Sequence, residues 1–235
     1  TTGATRCGVG LVTLHATSAN KIVWFDSTSG GTLLDTGAVF NTIVSSNRSF
    51  YASANGNISA PKNLTTIISG PNNSGGVMFT ITAINNVNVT GFDAQADTGV
   101  NTWRIYYRKD NIINVPGANT NSNGWIFVDS AANVTSAGAG FLTSIPINMS
   151  VIIPAGKTYS FYVMVSSGPN VIYSIGTGLG NPNTANPDLQ VKDGYAGQTF
   201  NCVTSPRVFN GTVHYKTSCL SNRIAANVTV TAPPA

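Results

Sequence analysis

SCLSNRIAANVTVTAPPA (218–235) is a strand with one cysteine near its start and two prolines behind it. It reads as the strand that the first fifty-five residues lack. Within those residues GLVTLHAT (10–17) alternates apolar and polar side chains, KIVWFDSTSGG (21–31) places a Trp in a strand ahead of a Gly turn, and RSFYASA (48–54) is a third strand. A few short strands with one apolar face leave an open, unstable sheet edge, so this opening part needs a closing partner. The C-terminal strand supplies it. The expected layout is a small β-sandwich of residues 1–55 plus 217–235, interrupted by a larger β-domain over 56–216.

Composition points the same way. The chain has 235 residues, 42% of them hydrophobic, enough for packed cores, but only 9% charged. All eight acidic residues are Asp and there is no Glu. The preferred residues are Thr, Val, Ile, Asn, Ser and Gly, which favour strands and turns over helices. The fold class is therefore all-β. The net charge of +4 is a small excess of twelve cations over eight anions, scattered except at Arg104, Arg108 and Lys109. Nucleic-acid binding needs a dense basic stripe, so no nucleic-acid partner is expected. No apolar run has the length of a membrane helix, and no leader pattern opens the chain.

The insert continues strand after strand. GVMFTITA (76–83) turns Val77, Phe79 and Ile81 inward against Met78 and Thr80. NTWRIYYRKD (101–110) puts Trp103, Ile105 and Tyr107 on one face and Arg104, Tyr106 and Arg108 on the other. In IIPAGKTYSFYV (152–163) a Pro-Ala-Gly turn joins two alternating strands, with Gly156 placed for a positive φ. Eight to ten strands at this spacing, with no helix for a parallel crossover, predict a jelly-roll-like sandwich.

Of the three cysteines, Cys7 and Cys219 flank the two halves of the split domain and are the natural disulfide pair. Such a bridge is worth roughly 5 kcal/mol in the chain-entropy model. The alternative is three buried thiols. Cys202, within a strand pattern, reads as a small core residue.

The opening motifs also carry a resemblance. The Cys-Gly-x-Gly lead at Cys7, the Val-Thr-Leu strand, the Trp-Phe-Asp strand at Trp24, the Gly-Gly turn, the Thr-Gly-x-x-Phe stretch at 36–40 and the Cys-x-Ser-x-Arg closing strand at 219–223 resemble the Ig-like repeats of large secreted proteins of Bacteroidetes. The insert is similar, more loosely, to β-sandwich domains of flavobacterial surface proteins and gliding adhesins. The resemblance implies a small Ig-like sandwich, export by the type IX secretion route, an extracellular or cell-surface location, and tandem repetition. Neighbouring copies, other surface components or surface polysaccharide would then be the partners. Pro233 and Pro234 read as a stiff joint to a following copy. The interruption of the Ig-like part departs from the family pattern. Because O-glycosylation in these bacteria favours Asp-Ser/Thr before a small or apolar residue, the resemblance nominates Ser130 and, less closely, Ser27.

A catalytic constellation is not apparent. No G-x-S-x-G stretch occurs, and His15 and His214 both lie in strand patterns and read as structural or exposed strand residues. Asp93 and Asp97 form the nearest carboxylate pair, more plausible as loop-capping groups or a weak calcium site than as acid and nucleophile. Zinc lacks ligands, and no cofactor is expected. Sugar recognition stacks a flat aromatic ring on a pyranose between polar groups. Arg104, Tyr106 and Arg108 on one strand face, with Trp125 nearby in sequence, supply that chemistry; the competing reading makes Trp103 and Trp125 core anchors and the Arg-Tyr-Arg face plain solvated surface. The expected function is a non-enzymatic surface module of a large adhesin or filament, with a carbohydrate-binding accessory module as the alternative.

Overall fold

A computed structural model of the chain describes residues 1–29 and 31–232, and the side chains of these except 55–58 and 218–220. In chain order the strands are β1 (Ala4–Cys7), β2 (Gly10–His15), β3 (Lys21–Phe25), β4 (Leu33–Thr36), β5 (Val39–Val44), β6 (Arg48–Ile58), β7 (Lys62–Thr65), β8 (Asn72–Ser74), β9 (Gly76–Ala83), β10 (Val87–Ala94) and β11 (Gly99–Arg108). They continue as β12 (Ile126–Ser136), β13 (Thr143–Ser144), β14 (Val151–Ile153), β15 (Thr158–Ser167), β16 (Val171–Ile175), β17 (Pro182–Ala185), β18 (Leu189–Gln198), β19 (Asn201–Phe209), β20 (Gly211–Leu220) and β21 (Ile224–Thr231). One 3-10 turn, Ile112–Asn114, is the only helical element among the described residues. The protein is all-β. It divides into two compact units, Thr1–Ile58 with Ser218–Ala235, and Ser59–Thr217.

In the first unit β21 lies between β1, which it pairs in parallel, and β6, which it pairs antiparallel from Ile224↔Ala52 to Val228↔Arg48. β3 flanks the other side of β6 and carries β4 at its edge. The antiparallel ladder β2–β5 shares a core with this sheet. Alternation decides which side chains enter: Val12 and Leu14 from β2, Phe40 and Val44 from β5, and Ala226 and Val228 from β21 are buried. Trp24 is fully buried at the centre, its ring 5.6 Å from that of Phe40, and its Nε1 donates to the Gly37 carbonyl at 2.9 Å. That bond removes the cost of burying an indole N–H.

The register separates the two cysteines expected to pair. Cys7 sits opposite Thr231, three residues beyond the Val228–Arg48 pair, whereas Cys219 sits opposite Gly56, eight residues to the other side of Arg48 along β6. At about 3.3 Å per residue the two lie on the order of 30 Å apart along the sheet, and a disulfide needs Cα atoms within about 7 Å. The Cys7 thiol is free and exposed, 3.6 Å from the Ala232 carbonyl. The Cys7–Cys219 bridge is therefore corrected, although the Cys219 side chain itself lies outside the described residues, as do Pro233 and Pro234.

The second unit is a two-layer sandwich. One layer runs β7–β20–β10, with β13 and β14 on the far side of β10; the other runs β12–β11–β15–β9–β18–β19–β16–β8, with β17 on β18. The rings of Phe79, Phe92, Phe161 and Phe209 meet between the layers, the Phe79–Phe209 pair stacked at 4.3 Å. Trp103 and Ile105 join this core. Gly156 has φ +77°, as the Pro-Ala-Gly turn requires. Several strands of two to four residues, β7, β8, β13 and β17 among them, lie beyond the eight to ten expected, since they are too short to show a period.

At one end of the sandwich Lys62 of β7 pairs with Asp188 at 2.8 Å. The Tyr215 hydroxyl donates to the same carboxylate at 3.1 Å, and the Asn85 amide at 2.9 Å. Burial raises the Asp188 pKa, but these donors outweigh it and hold the carboxyl below its ordinary value.

Candidate functional site

The outward face of β11 carries the residues expected to bind a sugar. Arg104 is exposed there, as the alternation predicts. The rest of the face is covered. The segment 109–125 between β11 and β12 folds back over it, stitched to β15 by Ser160, whose Oγ donates to the Asp110 carbonyl at 2.7 Å and accepts from the Ile112 amide at 2.8 Å. Asn119 ties the same segment to β19 through both backbone and side chain, the Cys202 amide donating to its carbonyl at 2.9 Å and its own amide group donating to the Cys202 carbonyl at 2.8 Å. A second apolar cluster results, with Met78, Ile112, Ala118, Tyr162, Met164 and Cys202 buried. Met78 and Thr80, expected to face outward, are consequently fully buried.

Arg108 is not available to a ligand. Only 5% exposed, it forks onto Asp110 through Nε and Nη2 at 2.8 and 2.9 Å, donates from Nη1 to the Asn123 carbonyl, and lies 5.7 Å over the Trp125 ring. Trp125 in turn donates from Nε1 to the Ala118 carbonyl at 2.9 Å and packs against Tyr162 and Phe200. Both were candidates for sugar contact, with a core-anchor role as the competing reading of Trp125, and both hold the covering segment. Tyr106 is half-buried, with Phe127 at 5.2 Å and Phe200 at 5.0 Å between ring centres. Phe127, 51% exposed, is the most open ring of this group.

Phe200 reaches it from an unusual turn. Thr199 and Phe200 form the two-residue loop between the paired Gln198 and Asn201, at φ +34° and +57°. Both central residues of such a turn need positive φ, a region that Asn and Gly occupy more cheaply.

The two aspartates of the weak calcium candidate part company. The Asp93 carboxylate meets His214 Nε2 at 2.9 Å, and Asp97 accepts from the Asn73 amide at 2.7 Å. Among the described residues no three His, Cys or Asp side chains gather as a metal site requires. Of the modification candidates, Ser27 is half-buried and its hydroxyl donates to the Ser29 carbonyl at 2.6 Å, while Ser130 stands exposed on the edge strand β12. Burial pushes the Cys202 thiol up to about 12.

The His214–Asp93 contact is what residue-by-residue reading missed. His214 Nδ1 also lies 2.8 Å from Asn63 Oδ1. Its partners are 121 and 151 residues away in sequence (214 minus 93, 214 minus 63), and only the polar alternation of VHYK (213–216) hints that the imidazole faces outward.

Residues 1–68 match the family described as "Ig-like domain CHU_C associated". No curated protein matches the chain. Among solved structures, it is similar to the cysteine protease and lectin-like domains of Cwp84, a surface layer associated protein of Clostridium difficile, at 13% identity and TM-score 0.38, over 79% of this chain and 40% of that one. It is also similar to the structure of infectious bursal disease virus, Gx strain, at 12% identity and TM-score 0.22, over 88% of this chain and 63% of that one. The chain thus spans less than two thirds of either.

Proposed function

We propose that the chain is a non-enzymatic module of an extracellular or cell-surface protein, in which the Ig-like part spaces and the inserted β-sandwich presents a binding face. The observation that carries this reading is the Ig-like match over residues 1–68 in a chain whose C-terminal strand pairs with β1 and β6. The finer form, a unit of a large adhesin or filament exported by the type IX route and contacting neighbouring copies, draws its support from the opening and closing motifs. Treating intact cells that make the parent protein with a protease tests it. Digestion of this module without lysis is expected, and protection until lysis sinks the reading. Release of reducing ends from polysaccharides by the purified chain would overturn its non-enzymatic part.

A carbohydrate-binding accessory module is the second reading. The half-exposed rings of Tyr106, Phe127 and Phe200, with Arg104 on the same strand face, favour it. With Arg108 and Trp125 engaged in packing, this surface is narrower than the four residues promised. Micromolar glycan binding lost in Tyr106→Ala is the result that supports a site there.

A further inference from the structure

We propose that an open groove on the outer face of the β20–β10 layer binds an acidic saccharide, with Lys216 taking the sugar carboxylate. This rests on the carbohydrate-binding reading and moves its site away from the aromatic face. The groove encloses about 580 Å³, within the range of about 300–1,000 Å³ typical of small-molecule sites. One wall is the extended segment from Ser144 to Met149, which turns Ile145, Ile147 and Met149 into the core and leaves Ser144, Pro146 and Asn148 outside.

The floor is fixed and hollow. Asp93 on one side and Asn63 on the other hold the His214 ring by both nitrogens, so it cannot swing. Beside it Gly91 has no side chain. A Cβ there would sit 3.6 Å from the Ile147 carbonyl oxygen and 3.9 Å from His214 Cδ2, so glycine is not forced by crowding or by a left-handed φ. What its missing side chain provides is depth.

Unspent polar groups line this hollow. Thr90, Ser144, Asn148 and Lys216 all face the groove, and no side-chain hydrogen bond or ion pair engages any of them among the described residues. Hydroxyl and amide groups with free donors and acceptors are what a sugar's hydroxyls require. Asp93 is committed to His214, so Lys216 is the charge left without a counter-ion. One ammonium matches a singly charged carboxylate. A phosphate site usually adds an Arg fork or a nest of backbone amides, and no Arg lines this groove.

Isothermal titration of the purified chain with short oligomers of galacturonate, guluronate and glucuronate, each beside its methyl ester, tests the proposal. At least one acid form should bind, its ester at least tenfold more weakly. Lys216→Gln should lose tenfold or more and with it the preference for acid over ester, whereas Lys216→Arg should keep that preference. Gly91→Val fills the floor and should abolish binding; if it fails to fold, Asn148→Ala is the second variant and should weaken binding several-fold. Tyr106→Ala should bind as the parent does. No binding of any acid form, equal binding of acid and ester, an unchanged Lys216→Gln, or equally effective competition by inorganic phosphate overturns the groove. Binding lost in Tyr106→Ala alone overturns it too, while leaving the carbohydrate reading standing.

Discussion

At the scale of single residues, Arg108 shows how burial redirects a side chain's role. Its charge has left water almost entirely, and the fork onto Asp110, the Asn123 carbonyl and the Trp125 ring replace that hydration. Removing one member of a buried pair costs about 3–5 kcal/mol, and the half-exposed Asp110 lowers this figure. Arg108→Ala should therefore destabilise by about 2–3 kcal/mol in urea unfolding of the whole chain. A loss of stability below about 0.5 kcal/mol would show that the residue belongs to the surface after all. The cysteines contrast in the same way. A thiol pushed up to about 12 carries almost no thiolate at pH 8, and Cys202 is buried as well. Maleimide should label Cys7 in the folded protein and Cys202 only after denaturation, as read by peptide mass mapping. The same non-reducing maps should contain no peptide joining Cys7 to Cys219.

Among the elements, the β18–β19 turn holds two non-glycine residues in left-handed backbone, and only one has an evident reason. Phe200 packs its ring against Tyr106 and Tyr162, while Thr199 is placed there by the turn alone. Thr199→Asn should stabilise the sandwich by about 0.5–1 kcal/mol, measured by thermal melting, because Asn enters that region more easily. β18 carries a second exposed cost. Asp193 is 1% exposed, and although its Oδ2 accepts from the Thr177 amide at 2.8 Å, its Oδ1 has no partner among the described residues. Burial raises its pKa, with the amides of Thr177 and Gly178 opposing. A carboxyl whose folded pKa lies above the unfolded value near 3.8 lowers stability as pH rises from that value through the folded one. Asp193→Asn should then melt higher than the parent at pH 7, and the gap should close below pH 4. Asp188 runs the opposite way: its lowered pKa contributes stability above the unfolded value that disappears in stronger acid.

For the whole molecule, the chain leaves the first unit at Ile58 and returns at Ser218, so the sheet order β1–β21–β6 is complete only after synthesis of the last strand. Without β21, β1 loses its ladder partner and β6 an edge, and Ala226 and Val228 leave the core. A 59–217 fragment, carrying both layers of its sandwich, should melt cooperatively alone. A 1–58 fragment should not, by circular dichroism and differential scanning calorimetry. Cooperative melting of 1–58 would mean that its remaining strands close a core unaided.

The sequence by itself determined the all-β class, the strand faces and the turn at Gly156, because each is written in a period of two or in the conformational range of one residue. Trp103 and Ile105 point inward and Arg104 outward for that reason alone. Which outward faces meet water was decided by tertiary structure. Alternation assigns Met78, Tyr106 and Arg108 to one side of the sheet, but it carries no trace of the 109–125 segment that comes down over them through Ser160 and Asn119. Likewise Cys7 and Cys219 look like partners when position in the chain stands for position in space, and the register of β21 on β6 separates them. Asp93 looks like a partner of Asp97 until two neighbouring strands bring it His214. Local pattern fixes the direction of a side chain; what it meets there depends on strands more than a hundred residues away, whose pairing no short-range period encodes.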